Sequence, residues 1–355
     1  MSDNPIRILI VDDSAMYRRI VLDVVSELED VEVVGVAENG IKAMAAIAKY
    51  KPDMIVLDID MPEMDGMAVL DALGRNRMPV VPIMYSAHTI DGAQITVEAL
   101  QKGAFDFITK PSSGTLEDNR RLLHAHLSDI LDAVRRIQRI RINTERRFSP
   151  LKPRPPAVFQ NGIKSRVIGI GVSTGGPQAL LQIVPKFPQT LHVPVLIVQH
   201  MPALFTSVMA ERLDSVSPLH VKEAEDAEPL LSGNVYIAQG GKHMRIEPSP
   251  HAGKGLVIRV TDDPPENNCK PSADYLFRSL AEHFGGQVTG VIMTGMGADG
   301  VEGLKRLKQL GATVVAQDEA SCAVFGMPKK AIESGIVDVV APIETLAAEI
   351  LKTVV

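Results

Sequence analysis

The sequence has few cysteines and no long apolar run. Cys269 and Cys322 are its two cysteines among 355 residues. No secretory signal precedes them, so we expect neither a disulfide framework nor a cysteine-built metal site. Neither stands in a glycine-framed turn, and we expect both to be buried small hydrophobic residues rather than nucleophiles. No apolar stretch reaches the roughly 18 residues that a membrane span needs. The sequence therefore predicts a cytoplasmic protein that is not inserted in a membrane.

The chain also lacks an excess of positive charge. Its formal net charge is -6, which gives no overall reason to expect nucleic-acid binding. One stretch departs from this balance: residues 141–156 are mostly basic and rich in proline, which prevents regular helix. This stretch could contact nucleic acid or an acidic partner, but a solvated tether between two domains is the simpler interpretation.

Strand and helix signals alternate on both sides of that tether. In the first half, strands are predicted at residues 6–11, 31–36, 54–57, 80–84 and 105–108, and a long helix at 116–142. In the second half, strands are predicted at 167–172, 194–198 and 288–293, with a β-rich excursion at 235–238, 243–246 and 256–260. We predict an α/β fold with two doubly wound parallel-sheet domains. A flavodoxin-like domain over residues 1–127 is followed by a helical and then Pro/Arg-rich linker over 128–163. A Rossmann-like domain with a small β-hairpin excursion spans 164–355.

A glycine-lined turn after the strand at 167–172 presents a serine. Gly171-Val172-Ser173-Thr174-Gly175 matches the pattern in which a strand-to-helix turn lifts a nucleophile clear of the sheet. Such a turn also directs backbone N–H groups at any anion that forms there. A phosphate-binding P-loop would need lysine after the last glycine, where Pro177 stands. A dinucleotide fingerprint would need a third glycine in place of Thr174. The turn therefore predicts that Ser173 is a nucleophile.

Two further polar side chains follow strands of the same domain. His200 comes after the strand at 194–198, and Asp299 follows the strand at 288–293. Because the carboxyl ends of parallel strands meet at one edge of a sheet, these groups could converge with Ser173 in one crevice. The alternatives are that His200 caps a helix or fills a polar niche, and that Asp299 stabilises a glycine-rich turn.

Three carboxylates and one lysine follow strands of the first domain. Asp12 and Asp13 come after the first strand, Asp58 ends the third, and Lys110 follows the fifth. In a parallel sheet these positions are neighbours, so negative charges crowd into one pocket that calls for a cation. All-oxygen ligands suit Mg²⁺, with Asp58 as the phosphoryl acceptor and Lys110 neutralising developing charge. Ser86, which ends the fourth strand, offers a hydroxyl to report the new phosphate. Helix capping would explain one such aspartate but not the whole set.

These positions belong to a specific combination of motifs. The motifs are Asp12-Asp13-Ser14, Leu57-Asp58, Met61-Pro62, Met64-Asp65-Gly66, Ser86-Ala87 and Lys110-Pro111. Over about residues 6–123 the chain resembles the receiver domain of two-component response regulators. The resemblance implies phosphorylation of Asp58 by a histidine kinase. It also implies that Phe107 is the aromatic residue that changes rotamer beside Ser86.

The second half carries five further motifs. They are Gly171-Val172-Ser173-Thr174-Gly175-Gly176-Pro177, Val198-Gln199-His200-Met201-Pro202, Lys270-Pro271-Ser272-Ala273-Asp274, Met293-Thr294-Gly295-Met296-Gly297-Ala298-Asp299-Gly300 and Val324-Phe325-Gly326-Met327-Pro328. Joined to a receiver, they resemble the chemotaxis-type protein-glutamate methylesterases over essentially the whole chain. The resemblance implies that Ser173 attacks a glutamate methyl ester, His200 takes its proton and Asp299 supports the imidazolium. An oxyanion hole is then required, and we nominate the Met296 N–H and Thr174 for it.

The same resemblance implies partners, products and location. The phosphodonor is the histidine kinase of the chemotaxis pathway, and the substrates are cytoplasmic domains of methylated chemoreceptors. Methanol is released through an acyl-enzyme, and receptor glutamines are deamidated as a second activity. The enzyme would be recruited to receptor arrays for sensory adaptation. The receiver would use Mg²⁺, and the esterase domain would use no cofactor.

Two alternatives of other classes stay open. A response regulator with a binding output would carry a helix-turn-helix and a basic second domain, and neither is apparent in the sequence. A serine hydrolase for free small esters would share the same triad and is harder to exclude.

Overall fold

The protein is described from a computed structural model. Residues 5–87, 89–111, 115–144, 164–251 and 255–354 are described. Residue contacts divide the chain into two units, Met1–Pro150 and Leu151–Val355.

The first unit contains a five-stranded parallel sheet. Its strands β1 to β5 span Ile6–Val11, Val31–Ala37, Met54–Asp58, Val81–Ser86 and Asp106–Thr109. The helices α1 to α5 span Ala15–Val25, Gly40–Tyr50, Gly66–Arg75, Ile90–Gln101 and Leu116–Thr144. The strand order is β2-β1-β3-β4-β5, and every neighbouring pair is parallel. Because the order reverses at β1, the carboxyl ends of β1 and β3 form the topological switch point where ligands bind in such sheets.

The central strands form because their sequences are almost continuously apolar. Ile8, Leu9, Met54 and Ile55 are completely buried, as expected for a parallel sheet with helices on both faces. The predicted first strand is confirmed in its bounds. The other four predicted strands differ by one or two residues at an end, since an apolar pattern does not mark the residue at which pairing stops.

Helix α5 continues past the predicted end of the first domain. It runs without interruption from Leu116 to Thr144. Residues 145–163, the proline-rich part of the predicted linker, lie outside the described residues. The boundaries at residues 127 and 163 therefore stay predictions. Among the helices of the described ranges, none combines the length and apolar character that crossing a membrane requires.

The second unit is built on a seven-stranded sheet. Strands β6 to β14 of this unit span Val167–Val172, Val195–Gln199, His220–Glu223, Asn234–Ile237, His243–Pro248, Leu256–Thr261, Val288–Ile292, Thr313–Gln317 and Val339–Ala341. Helices α6 to α11 span Gly176–Ile183, Phe205–Val216, Ala273–Phe284, Val301–Gln309, Met327–Glu333 and Ile343–Leu351. The sheet order is β14-β13-β12-β6-β7-β9-β8, and all its pairs are parallel. Strand β6 therefore lies between β7 and β12, and the carboxyl ends of all three meet at one edge.

The predicted β-rich excursion is only partly correct. Strands β10 and β11 do form a separate antiparallel pair. The segment predicted at residues 235–238, however, is β9, which pairs in parallel with β7 and β8 inside the main sheet. The error arose because strand propensity is local, whereas the choice of partner strand is decided by contacts far apart in sequence.

The β10–β11 pair anchors helix α8. Met244, Ile246 and Ile258 are buried in one core cluster with Phe277 and Leu280 of α8. Full burial of a side chain of this size contributes about 1.5–3 kcal/mol. The Ile246 N–H also donates to Ser279 Oγ of α8 at 3.2 Å. This packing fixes the position of α8, whose N-terminus contacts Asp299.

Candidate active site

Ser173 lies in a sharp turn between β6 and α6. Its N–H donates to the Thr294 carbonyl oxygen at 2.9 Å, and its own carbonyl accepts from the Gly176 N–H at 2.7 Å. Gly175 has a φ of 73°, a left-handed conformation that glycine adopts without strain. The turn leaves Ser173 partly exposed beyond the buried end of β6.

Two buried polar side chains brace this turn. Gln199 Nε2 donates to the Ser173 carbonyl oxygen at 3.0 Å, and Thr294 Oγ1 donates to the Thr174 carbonyl oxygen at 2.9 Å. Sequence reasoning quoted Gln199 and Thr294 as members of motifs and gave neither side chain a role. A buried amide beside a glycine-rich turn was the available signal, since such groups need hydrogen-bond partners.

His200 lies beside Ser173 at the ends of neighbouring strands. Val172 of β6 is paired in register with Gln199 of β7, so the next residues along the two strands are Ser173 and His200. The His200 N–H donates to the Val172 carbonyl oxygen at 3.1 Å. Within the described ranges the Ser173 hydroxyl makes no hydrogen bond.

Asp299 is held between His200 and the N-terminus of α8. Its Oδ2 lies 2.8 Å from His200 Nε2 and accepts from the Ala273 N–H at 2.6 Å. Its Oδ1 accepts from Ser272 Oγ at 2.7 Å and from the Asp274 N–H at 3.2 Å. The start of a helix stabilises negative charge through its free N–H groups and dipole. Sequence reasoning quoted Ser272, Ala273 and Asp274 as a motif but found no role for them.

This environment sets the charges of the pair. Burial alone would raise the pKa of Asp299. The hydrogen bond and charge of His200, together with hydrogen bonds from Ser272 and Ala273, outweigh burial and lower this pKa to about 2. Burial alone would lower the pKa of His200, but Asp299 and Cys269 outweigh it and raise that pKa to about 9. Asp299 is therefore a permanent anion at neutral pH, and it stabilises the imidazolium form of His200.

The prediction that both cysteines are buried is wrong. Cys269 and Cys322 are both partly exposed. Cys269 Sγ lies 3.7 Å from His200 Nδ1, on the opposite side of the ring from Asp299. The prediction missed this because the contact joins residues 69 positions apart. Burial, with Asp318 and Glu319 nearby, raises the pKa of the Cys322 thiol.

The two nominated oxyanion residues lie close to Ser173. Thr174 follows it directly, and Met296 follows Gly295, at which an added Cβ would come within 2.7 Å of Ser173 Cβ. Among the described residues no hydrogen-bond acceptor is found for the Thr174 or Met296 N–H. Unpaired backbone N–H groups beside a nucleophile are the kind of donor that an oxyanion hole uses.

The receiver-like domain gathers its own charged cluster. Asp12, Asp13 and Asp58 have carboxylate oxygens within 4.8 Å of one another. Lys110 Nζ lies 2.9 Å from Asp12 Oδ2 and 2.6 Å from Asp58 Oδ1. Lys110 Nζ also lies 4.6 Å from the centre of the Tyr17 ring, a cation–π contact that sequence reasoning did not identify.

The positive charge of Lys110 does not balance the negative charges of the three carboxylates in this cluster. Burial is the largest influence on Asp58, and with the charge of Asp12 it outweighs Lys110 and raises the pKa of Asp58 to about 6. Asp12 Oδ2 is buried and accepts no hydrogen bond of good geometry. Three carboxylates that share one ammonium form an all-oxygen set that fits a hard cation such as Mg²⁺. Asp12, Asp13 and Asp58 are the residues that could hold it.

Ser86 and Phe107 lie on adjacent strands next to this cluster. Met84 pairs with Phe107 between β4 and β5, so Ser86, two residues further on, points to the same face of the sheet as Phe107. Ser86 Oγ accepts from Thr96 Oγ1 at 2.7 Å and donates to the Gly92 carbonyl oxygen at 3.1 Å. Both Ser86 and Phe107 are buried.

Comparison with family models gives two matches. The model described as CheB methylesterase matches residues 168–350, and the one described as response regulator receiver domain matches residues 8–119. The first covers the domain that contains Ser173, His200 and Asp299. The second covers the domain that contains the carboxylate cluster.

Related proteins match over nearly the whole chain. A protein-glutamate methylesterase/protein-glutamine glutaminase of Desulfotalea psychrophila is 44% identical, with 98% of each chain covered. One of Pyrococcus abyssi with the same name is 39% identical and covers 100% of this chain and 95% of its own. The crystal structure of the Thermotoga maritima CheB methylesterase catalytic domain is 39% identical, with a TM-score of 0.52, covering 54% of this chain and all of that one. The chain therefore belongs to the CheB methylesterase family and carries a response regulator receiver domain ahead of its methylesterase domain.

Proposed function

We propose that the chain hydrolyses glutamate methyl esters on chemoreceptors and deamidates receptor glutamines through a Ser173–His200–Asp299 triad. The observation that carries this proposal is the His200–Asp299 pair, 2.8 Å apart, beside the turn that exposes Ser173. The names of the relatives, protein-glutamate methylesterase/protein-glutamine glutaminase, support the choice of substrate.

The reaction follows from which ring nitrogen is free. Because Asp299 holds Nε2 of His200, Nδ1 is the nitrogen left to take the proton of the Ser173 hydroxyl. Ser173 Oγ bonds to the ester carbonyl carbon, and the imidazolium returns the proton to the leaving methoxide, which departs as methanol. Water, deprotonated by the same nitrogen, then attacks the acyl-enzyme and releases the glutamate carboxylate and Ser173. With a glutamine side chain the leaving group is ammonia.

Negative charge develops on the carbonyl oxygen in both steps. The N–H groups of Thr174 and Met296 are our candidates for stabilising it, because they flank Ser173 and have no acceptor among the described residues. Losing one such donor in other acyl-transfer enzymes costs about 10²–10³ in kcat.

The receiver domain supplies the regulation. We assign Asp58 as the acceptor of a phosphoryl group from the chemotaxis histidine kinase. When bound by Asp12, Asp13 and Asp58, Mg²⁺ would supply neutralisation of the phosphoryl charge. Lys110 contributes a second positive charge at the same place. Ser86 and Phe107 would report the phosphate through a change of hydrogen bonding and rotamer.

Phosphorylation is proposed to relieve inhibition of the esterase by the receiver. The proline-rich sequence between the domains tethers them, so that docking is intramolecular and occurs at high effective concentration. Phosphate at Asp58 can only shift this equilibrium by as much as it favours one receiver state over the other. Activation should therefore be finite and saturable, and it should operate at receptor arrays, where kinase and substrate meet.

Methanol release separates the proposed substrate from free esters. Phosphorylated wild-type protein is incubated with membranes carrying methylated receptors, and in parallel with a small methyl ester at equal ester concentration. We expect methanol from the membranes and little from the small ester. The same assay is run on Ser173→Ala, which removes the proposed nucleophile. Its matched control is Ser215→Ala, which removes an exposed hydroxyl of α7. Faster turnover of the small ester would favour a general serine hydrolase over the proposed enzyme.

A further inference from the structure

A tight turn places Cys269 beside His200. Asn267 and Asn268 have φ values of 52° and 60°, both left-handed. The Glu266 N–H donates to the Cys269 carbonyl oxygen at 3.1 Å, and the Cys269 N–H donates to the Glu266 carbonyl oxygen at 2.7 Å. Two left-handed residues closed by this pair of bonds form a type I′ turn, which asparagine favours. The thiol is therefore placed by the backbone and not by a flexible loop.

The turn brings three potential metal ligands together. His200, Cys269 and Asp299 each offer an atom within 4.8 Å of the others. Asp299 hydrogen-bonds His200 Nε2 at 2.8 Å, while Nδ1 of the same ring faces Cys269 Sγ at 3.7 Å. In protein metal sites, a histidine ligand commonly donates its other ring N–H to a carboxylate, which orients the ring and increases its basicity. Asp299 stands in that supporting position.

We propose that Cys269 Sγ and His200 Nδ1 bind Zn²⁺, and that this binding inhibits the esterase. Zn–S and Zn–N bonds of about 2.3 and 2.0 Å at a tetrahedral angle separate sulfur from nitrogen by about 3.5 Å. The observed 3.7 Å requires almost no movement. Because Cys269 is partly exposed, water or a substrate carboxylate can complete the coordination.

Inhibition follows from the nitrogen that the metal occupies. Nδ1 is the atom that takes the proton of Ser173, so a bound Zn²⁺ blocks the base. The proposed inhibition rests on the proposed function, because it assumes that His200 Nδ1 takes the proton of Ser173. The proposed binding of Zn²⁺ does not rest on that function. Zn²⁺ binds the thiolate and the neutral imidazole, so metal binding should release protons.

The two cysteines provide an internal control. The one hydrogen-bond acceptor of the Cys322 thiol in the described structure is the Gln317 carbonyl oxygen, at 4.0 Å, and no histidine belongs to a candidate metal cluster with it there. Cys322→Ala therefore removes a thiol without touching the proposed site. Mg²⁺ is added in large excess so that it competes with Co²⁺ and Zn²⁺ for the carboxylate cluster of the receiver, whose oxygen ligands suit it.

The test is a titration of the full chain with Co²⁺, a spectroscopic substitute for Zn²⁺, followed by Zn²⁺ inhibition of methanol release. We expect a thiolate-to-cobalt absorption band in the wild type, in Cys322→Ala and in the Ser173→Ala variant, which has no nucleophile. Cys269→Ser and Cys269→Ala should lose the band, and Asp299→Asn should need about tenfold more Co²⁺. Circular dichroism checks that each variant is folded.

Inhibition is compared with each variant's own rate in chelator. Zn²⁺ should inhibit the wild type and Cys322→Ala reversibly, and Cys269→Ser should require about tenfold more Zn²⁺ or higher. A wild type without the band, or a Cys269→Ala variant that keeps it, would overturn the metal site. Equal inhibition of wild type and Cys269→Ser would overturn the inhibitory role. The metal-binding result does not depend on whether Ser173 is the nucleophile, because the band is also measured in Ser173→Ala.

Discussion

The two domains each bury an aspartate at the carboxyl edge of a parallel sheet, yet they drive its acidity in opposite directions. Asp58 and Asp299 are only 3% and 2% exposed. The pKa of Asp58 is raised to about 6, and that of Asp299 is lowered to about 2. Burial favours the neutral acid in both cases. Equal burial therefore cannot explain the difference.

The difference lies in the partners that the surrounding chain supplies. Asp299 receives His200, a serine hydroxyl and two N–H groups of α8. Asp58 has Lys110 and the Ile59 N–H, and its neighbour Asp12 adds negative charge. A carboxylate with a full set of donors is a fixed electrostatic support. A carboxylate left short of positive charge can accept a cation and a phosphoryl group, as proposed for Asp58.

The largest loss of activity should come from substitutions at Ser173 and Asp299 in the esterase domain. Ser173→Ala should lower methanol release about 10⁶-fold, since it removes the covalent route. Asp299→Asn should lower it about 10⁴-fold, because His200 remains but loses its orientation and charge support. Rates are measured on methylated receptor membranes with phosphorylated protein. Near wild-type turnover by Ser173→Ala would exclude the triad, and Ser215→Ala should match the wild type.

The pH dependence of turnover tests the support that Asp299 gives to His200. Proton abstraction needs the neutral imidazole, and a pKa raised to about 9 keeps the ring protonated in the free enzyme at neutral pH. The value of kcat/KM should therefore rise about fiftyfold from about pH 7 to about pH 9. Subtracting the Ser173→Ala rate at each pH removes alkaline hydrolysis of the ester. A plateau already reached near pH 7 would mean that Asp299 does not stabilise the imidazolium.

Changing the receiver side should alter its metal requirement. Asp13→Asn removes one carboxylate of the cluster and should raise the Mg²⁺ concentration needed for half-maximal labelling of Asp58 about tenfold. Labelling is followed with a radioactive small-molecule phosphodonor. Asp23→Asn, an aspartate of α1 that pairs with Arg19, is the control. Undiminished labelling in excess chelator would show that the acceptor needs no cation.

A smaller effect is expected from separating the two domains. A fragment beginning at Lys164 should release methanol without phosphodonor, about tenfold faster than the unphosphorylated full chain, within the usual range of allosteric coupling. Adding phosphodonor should not change its rate. If the folded fragment is slower than the unphosphorylated full chain, the receiver activates the esterase instead of inhibiting it.

The sequence predicted the parts of this comparison that are local. Apolar runs located β1, β3, β6 and β7, and polar residues at or just after their ends gave Asp12, Asp58, Ser173 and His200. The rule that parallel strands share a carboxyl edge then brought these residues together. Such predictions succeed because strands buried on both faces are almost continuously apolar, so polar residues near their ends stand out.

The supporting contacts could not be predicted in the same way. Ser272 and Ala273 reach Asp299, and Cys269 reaches His200, because α8 packs on the β10–β11 pair and a type I′ turn precedes it. Nothing in the local pattern connects these residues with Asp299 or His200. The same limit misassigned β9, whose partner strand is chosen by the whole sheet. Donor counts, and with them the opposite pKa shifts, depend on these distant contacts.

The most direct test of the central claim is a titration of the two aspartates themselves. In metal-free protein labelled with ¹³C at the aspartate carboxyl groups, Asp58→Asn and Asp299→Asn identify the two signals by their loss. We predict that the Asp58 signal titrates with a midpoint of about 6, and that the Asp299 signal stays ionised from about pH 4 to about pH 8. Two signals that both titrate near the ordinary aspartate value would contradict the claim that donor number separates the two sites.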